Sequence, residues 1–262
     1  MRAMHTAATG MIAQELNVQV ISNNIANMRT TAYKRQRTEF QDLLYEQVRR
    51  VGTQTSDQGN ILPVGIELGA GVKTVGTPRI MSQGNLLPTA KELDVAIRGE
   101  GFFRVLLPDG RTAYTRDGSF EMDSQGRVVT AQGYVLQPGL TIPQNARSIT
   151  INAQGQVSAI IGTDTAMTQI GQFEMAMFVN KAGLQSVGDN LYLETPASCP
   201  PITGTANADG FGDLQQGNLE QANVEPVKEI SDLIAAQRAY EMNAKVISAS
   251  NEMLQATANL MR

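Results

Sequence analysis

Charge is scarce in this sequence. Charged residues make up 18% of its 262 residues, against roughly 25% in ordinary soluble domains. Gln, Asn, Thr, Ser and Gly take their place, so the surface repels itself weakly and suits a chain buried against copies of itself. The net charge of -4 disfavours the basic face that a nucleic-acid duplex needs, so no nucleic-acid partner is expected. The local clusters Lys34-Arg35-Gln36-Arg37 and Arg49-Arg50 read as solvated or interface groups. There is one cysteine, Cys199, so no intramolecular disulfide forms. There is one histidine, His5, at the far end of the chain from Cys199, so neither a Ser-His-Asp nor a Cys-His set is expected. No apolar run reaches the length that crosses or inserts into a lipid bilayer. Residues after Arg2 are interrupted by His5, Thr6, Thr9 and Gln14. They lack the apolar centre of a cleaved signal peptide.

What is present is heptad spacing at both ends. Met4, Met11, Val18 and Ile25 recur every seven residues, with Ala7, Gln14, Ile21 and Met28 three residues on. This predicts a helix over about 3–27. Asn23, Asn24 and Asn27 crowd its end, where Asn can adopt the left-handed conformation that closes helices. Leu233, Tyr240, Ile247, Leu254 and Met261 repeat the spacing near the C-terminus, with Ile230, Gln237, Ala244, Asn251 and Ala258 as companion row. A helix over about 224–261 follows, with Asn223 as its N-cap and Pro226 in its first turn. An amphipathic helix of that length needs a partner along its whole extent, so the two ends are expected to pair. Ser231, Arg238, Lys245, Glu252 and Asn259 form a wholly polar row on the same helix.

Between the helices the pattern is β. Turn dipeptides recur at Asp109-Gly110, Asp117-Gly118, Gln125-Gly126, Gln132-Gly133 and Gln154-Gly155, with short β-prone runs between them. Phe103, Val105 and Leu107 alternate before the first of these turns. The expected fold class is α+β. Long N- and C-terminal helices pair as a coiled coil around an inserted all-β domain, an antiparallel barrel or sandwich. The expected divisions are 1–29 for the N-terminal helix, 30–71 for an extended arm, 72–215 for the β domain and 216–262 for the C-terminal helix. Within the arm, Phe40, Leu43 and Leu44 could close one or two helical turns. The Gly/Thr/Gln-rich stretch that follows is expected to order against neighbouring copies.

Gly99-Glu100-Gly101 lacks the third glycine and the following helix of a phosphate loop, so it reads as a tight β-turn. No cofactor, metal or catalytic residue is expected.

Ser22-Asn23-Asn24-Ile25-Ala26-Asn27 with Thr31-Ala32-Tyr33-Lys34-Arg35 resembles the N-terminal signature of the flagellar rod and hook axial proteins. Gln237-Arg238-Ala239-Tyr240-Glu241 resembles their C-terminal signature. Val95 to Phe103 and Tyr114 to Phe120 resemble their shared β domain. Length, and the run from Phe40 to Tyr45 with the stretch leading to Gly71, resemble the members that build the distal rod. Another rod protein of similar length, or a hook-type axial protein, is the alternative. The resemblance implies a structural subunit, not an enzyme, that polymerises helically with itself into a hollow drive shaft carrying motor torque to the hook. It implies proximal rod proteins, hook protein and the surrounding outer rings as partners. It also implies the flagellar basal body, spanning the periplasm, as location, and type III export without a cleaved signal. Met4, Met11, Val18, Ile25, Leu233, Tyr240, Ile247 and Leu254 then form the self-assembly seam, and the polar row from Ser231 to Asn259 lines the channel.

Overall fold

The structure is a computed structural model that describes residues 2–52, 64–162, 166–208 and 210–260. The chain divides into two compact units. Unit 1 comprises Met1–Ala26, Gln36–Pro78 and Glu225–Arg262; unit 2 comprises Asn27–Arg35 and Arg79–Val224. Both chain ends therefore belong to unit 1. The chain crosses between the units four times, at 26/27, 35/36, 78/79 and 224/225.

Unit 1 is built on two helices that pack together, α1 (Arg2–Ala26) and α2 (Pro226–Leu260). At 1.5 Å per residue their 25 and 35 residues span roughly 37 and 52 Å, so α2 is the longer by almost three turns. Both begin and end within two residues of the positions that the heptads predict. Their ends are made differently from expectation. None of the three Asn residues takes a left-handed conformation; Ala32 does, with φ of 55°. Pro226 opens α2, and the Glu229 amide donates to the Glu225 carbonyl at 3.0 Å. Asn223 is not the cap, because its side chain is bonded within unit 2.

The arm contributes strands, not helical turns. Glu39–Asp42 pairs antiparallel with Val72–Gly76, and Tyr45–Arg49 with Ile66–Gly69, so Phe40 lies in a strand. These four strands make one long hairpin held to the start of α1. The Val72 amide donates to Thr9 Oγ1 at 3.4 Å, and Arg2 pairs with Glu46 at 2.8 Å. The middle of the expected arm, 53–63, lies outside the described residues.

Unit 2 is β-rich and entirely antiparallel in its named ladders. Its main sheet runs in the order Gln185–Gly188, Leu191–Leu193, Thr112–Thr115, Phe102–Leu106, Val135–Leu136, Val128–Thr130, Phe120–Met122. Glu174–Met177 also pairs with Phe102–Leu106 and carries Ile202–Thr205 beyond it. The path is open, and among the described residues no ladder closes it into a barrel. A separate three-stranded sheet joins Ala146–Ile151, Gln156–Ile161 and Met167–Gln172. Side chains alternate across Phe102–Leu106 as the period of two requires. Phe103 and Val105 enter a core shared with Ile97, Ile151, Val157 and Leu214. Phe102 enters a second core on the opposite face with Tyr114, Phe178 and Tyr192. Edge-on ring contacts order both cores: Phe103–Phe120 at 5.0 Å and Tyr114–Phe178 at 4.7 Å between centroids.

The end of unit 2 returns to pair with its beginning. Asp213–Gln216 pairs with Val95–Arg98, and Asn218–Glu220 with Leu86–Pro88. Asp117-Gly118-Ser119 is not a hairpin turn but a close crossing. The Val95 amide donates to the Gly118 carbonyl at 3.0 Å, and a Cβ on Gly118 would lie 1.7 Å from the Val95 oxygen. Glycine is required there by space.

Candidate assembly site

The heptads place side chains on two faces of α2. The least exposed row is Glu229, Ala236, Asn243 and Ser250. Beside it, Leu233 and Ile247 are half-buried while Tyr240 and Leu254 are exposed. On α1, Met4, Met11, Val18 and Ile25 are half-buried, and Ala7, Ala13, Val20 and Ile21 are buried. The least exposed row of α2 is small and polar, while α1 buries both small residues and Val20 and Ile21. A Cβ on Gly10 would lie 2.9 Å from Asn243 Nδ2, so the missing side chain admits the Asn243 amide. Asn24, fully helical and buried, donates through Nδ2 to Glu229 Oε2 at 3.1 Å and to the Gln36 carbonyl at 2.9 Å. Its Oδ1 accepts the Gln36 amide at 2.9 Å. One Asn of the signature thereby ties both helices to the first residue of the hairpin segment. Asn23 is exposed and Asn27 half-buried.

Apart from the half-buried Ala239 and Ala244, the rest of α2 is open to solvent. Ile230, Ile234, Met242, Val246 and Met253 are all exposed, as are Val227 at 80% and Leu260 at 87%. Every described residue from 251 onward is exposed. Gln237 and the row Ser231, Arg238, Lys245, Glu252 and Asn259 are exposed too. That row lies two residues, about 200°, from both rows that face α1, so it points away from the partner helix. One position further round, Val246, Met253 and Leu260 form an exposed apolar flank. The hairpin adds Leu44, Val48, Val64, Ile66 and Leu68, likewise exposed.

Unit 2 contains the opposite arrangement, charge sealed inside. Lys34 and Glu220 side chains are 0% exposed and Arg116 is 3% exposed. Lys34 Nζ donates to Glu220 Oε1 at 2.5 Å and to the Ser82 carbonyl at 2.8 Å. Arg116 Nε donates to Glu220 Oε2 at 2.9 Å, and its other nitrogens reach the carbonyls of Gly99 and Gly101 at 2.9 and 3.2 Å. The Gly84 amide also donates to Glu220 Oε1 at 2.8 Å. Burial pushes the Glu220 carboxyl up, but Arg116, Lys34 and the Gly84 amide together hold it below the usual carboxylate range. Burial pulls the Lys34 ammonium down further than Glu220 raises it. Lys34 is therefore no member of a solvated basic cluster. Its desolvation is offset by a carboxylate 186 residues away. This cluster also draws residues 27–35 and 218–224 into unit 2. Sequence reasoning missed it, although Lys34 and Arg116 both sit inside recognisable motifs.

Two terminal helices that pack together, with a β-rich unit inserted between them, are the architecture that the resemblance to the axial proteins implies. Three family models match it: "Flagella basal body rod protein" over residues 4–34, "Flagellar hook protein FlgE/F/G D1 domain" over 96–159, and "Flagellar basal body rod FlgEFG protein C-terminal" over 215–260. The three charges of the buried cluster come one from each matched segment. The chain is 52% identical to the flagellar basal-body rod protein FlgG of Caulobacter vibrioides over 99% of both chains. It is 49% identical to FlgG of Agrobacterium fabrum over 97% of both, and 36% identical to FlgG of Bacillus subtilis over the whole of both. The chain belongs to the flagellar basal-body rod protein family and is a structural subunit of the basal body, not an enzyme.

Proposed function

We propose that copies of this chain polymerise helically into a hollow shaft, the distal part of the rod, which carries torque from the motor to the hook. The observation that carries this is the bare apolar surface of α2. Each such side chain gains about 1.5–3 kcal/mol when fully buried, and an isolated chain leaves that gain unused along most of a 35-residue helix. Copies of the same helix supply matching surface. In this arrangement Met4, Met11, Val18 and Ile25 join Leu233, Tyr240, Ile247 and Leu254 in coiled-coil seams within and between subunits. The row from Ser231 to Asn259 faces the bore, where both charge signs and no apolar group offer a passing chain nothing to bind. Unit 2 faces outward, its main sheet and its three-stranded sheet packed over a shared core in the manner of a sandwich. Within the arm, residues 46–71 brace neighbouring copies. Proximal rod proteins, the hook protein and the surrounding rings meet the shaft, which the subunits reach by type III export without a cleaved signal.

The test is Ile247→Asp. Electron micrographs should show straight hollow tubes from the unmodified chain and none from the variant, while near-ultraviolet circular dichroism of unit 2 stays unchanged. Tubes of normal number and length from the variant would overturn the seam.

A further inference from the structure

We propose that Asn223 and Glu220 form a load clamp, which binds to one another the segments by which the chain enters and leaves unit 2. Three of the four crossings meet at Asn223. Its Oδ1 accepts the Arg35 amide at 2.8 Å, beside the 35/36 crossing. Its Nδ2 donates to the Ile80 carbonyl at 2.7 Å and the Ser82 carbonyl at 3.1 Å, just after the 78/79 crossing. Its own backbone precedes the 224/225 crossing and donates to the Tyr33 carbonyl at 3.4 Å. The Ile80 amide in turn donates to the Arg35 carbonyl at 2.9 Å.

Glu220 backs this knot. Its carbonyl accepts the Ala32 amide at 2.7 Å, which holds the segment that follows the fourth crossing. Its carboxylate holds Lys34 and Arg116, and Lys34 donates to the same Ser82 carbonyl that Asn223 uses. Arg116 then anchors the group to the loop at Gly99 and Gly101. The mechanical consequence is direct. A pull on any one of these segments is shared among all of them and passed through a buried ion pair into the main sheet. Without the cross-bonds, each segment would peel alone. The role in the shaft rests on the torque-bearing function above. The clamp itself is a property of the single chain, so the two can fail separately.

The experiment is single-molecule force spectroscopy on the full chain in a Cys199→Ser background. Handles on Arg29→Cys and Glu225→Cys load the crossings, and handles on Gln125→Cys and Val187→Cys load the main sheet from end to end. Asn223→Ala removes the side-chain bonds to Arg35, Ile80 and Ser82. It should raise the unfolding rate at fixed force about tenfold or more in the first geometry and leave the second within about twofold. Equal acceleration in both geometries, or none in the first, would overturn the clamp. If Asn223→Ala does not fold, Asn223→Ser is pulled in its place, since its hydroxyl is too short to span the segments. The same two outcomes decide.

Discussion

The two units handle exposed and buried chemistry in opposite ways. Unit 2 buries its aromatic residues on both faces of one sheet and closes a carboxylate, an ammonium and a guanidinium inside with full partners. Unit 1 buries only a narrow set on its paired helices, among them Ala7, Ala13, Val20, Ile21, Asn24 and Ala236, and leaves Val227, Ile230, Ile234, Val246, Met253 and Leu260 in solvent. Unit 2 also exposes single apolar side chains such as Met167 and Val179, but its buried Lys34, Arg116 and Glu220 all find partners within the chain. In the proposed shaft unit 1 supplies one side of an interface, so substitutions in the two units are expected to separate assembly from stability.

The sharpest break in this comparison is Glu220→Gln. It leaves Lys34 and Arg116 buried without a counter-ion, a loss of the kind that costs about 3–5 kcal/mol. Thermal melts should show the β unit strongly destabilised while helicity of the terminal segments, read by far-ultraviolet circular dichroism in the assembled state, persists. A melting temperature within experimental error of the unmodified chain would deny the cluster its structural role.

The same residue gives a smaller effect through pH. The folded Glu220 carboxyl lies below its ordinary value of 4.5. Its contribution is present above that value and is lost as pH falls through the lower folded value. Lys34 acts on the alkaline side. Its folded ammonium releases its proton more readily than the ordinary 10.5 allows, so its cost is relieved as pH rises toward that value. An acid titration of unit 2 followed by aromatic circular dichroism should be steeper for the unmodified chain than for Glu220→Gln. Superimposable slopes would contradict the assignment.

Both helices and the β middle were legible in the sequence because each has a local signal. Heptads repeat over four or more turns, and glycine-bearing turns punctuate the strands. The α2 face was only partly legible. Leu233 and Ile247 belong to the half-buried row, but the row closest to α1 is Glu229, Ala236, Asn243 and Ser250, small and polar residues that a search for apolar periodicity passes over. Asn223 has the composition of a helix cap and serves as a tie between segments instead, since local preference does not record what approaches from Arg35 and Ile80. Lys34, Arg116 and Glu220 were illegible as a group, because no periodicity connects charges separated by as many as 186 residues.

The mildest perturbation concerns the exposed row of α2. Arg238→Leu, Lys245→Leu and Glu252→Leu together should leave shafts forming in normal number but slow delivery of hook and filament subunits through them. This is measured as the time from rod completion to hook growth. Failure to form shafts would place the row in an interface, against the bore.

The central claim is that α2 finds its burial in copies of itself while unit 2 needs none. Hydrogen exchange compared between the single chain and the polymer tests it most directly. Amides of residues 241–260 should gain strong protection on assembly, while those of Val95–Arg98 and Phe102–Leu106 are equally slow in both states. Equal exchange of the α2 amides in chain and polymer would contradict the account.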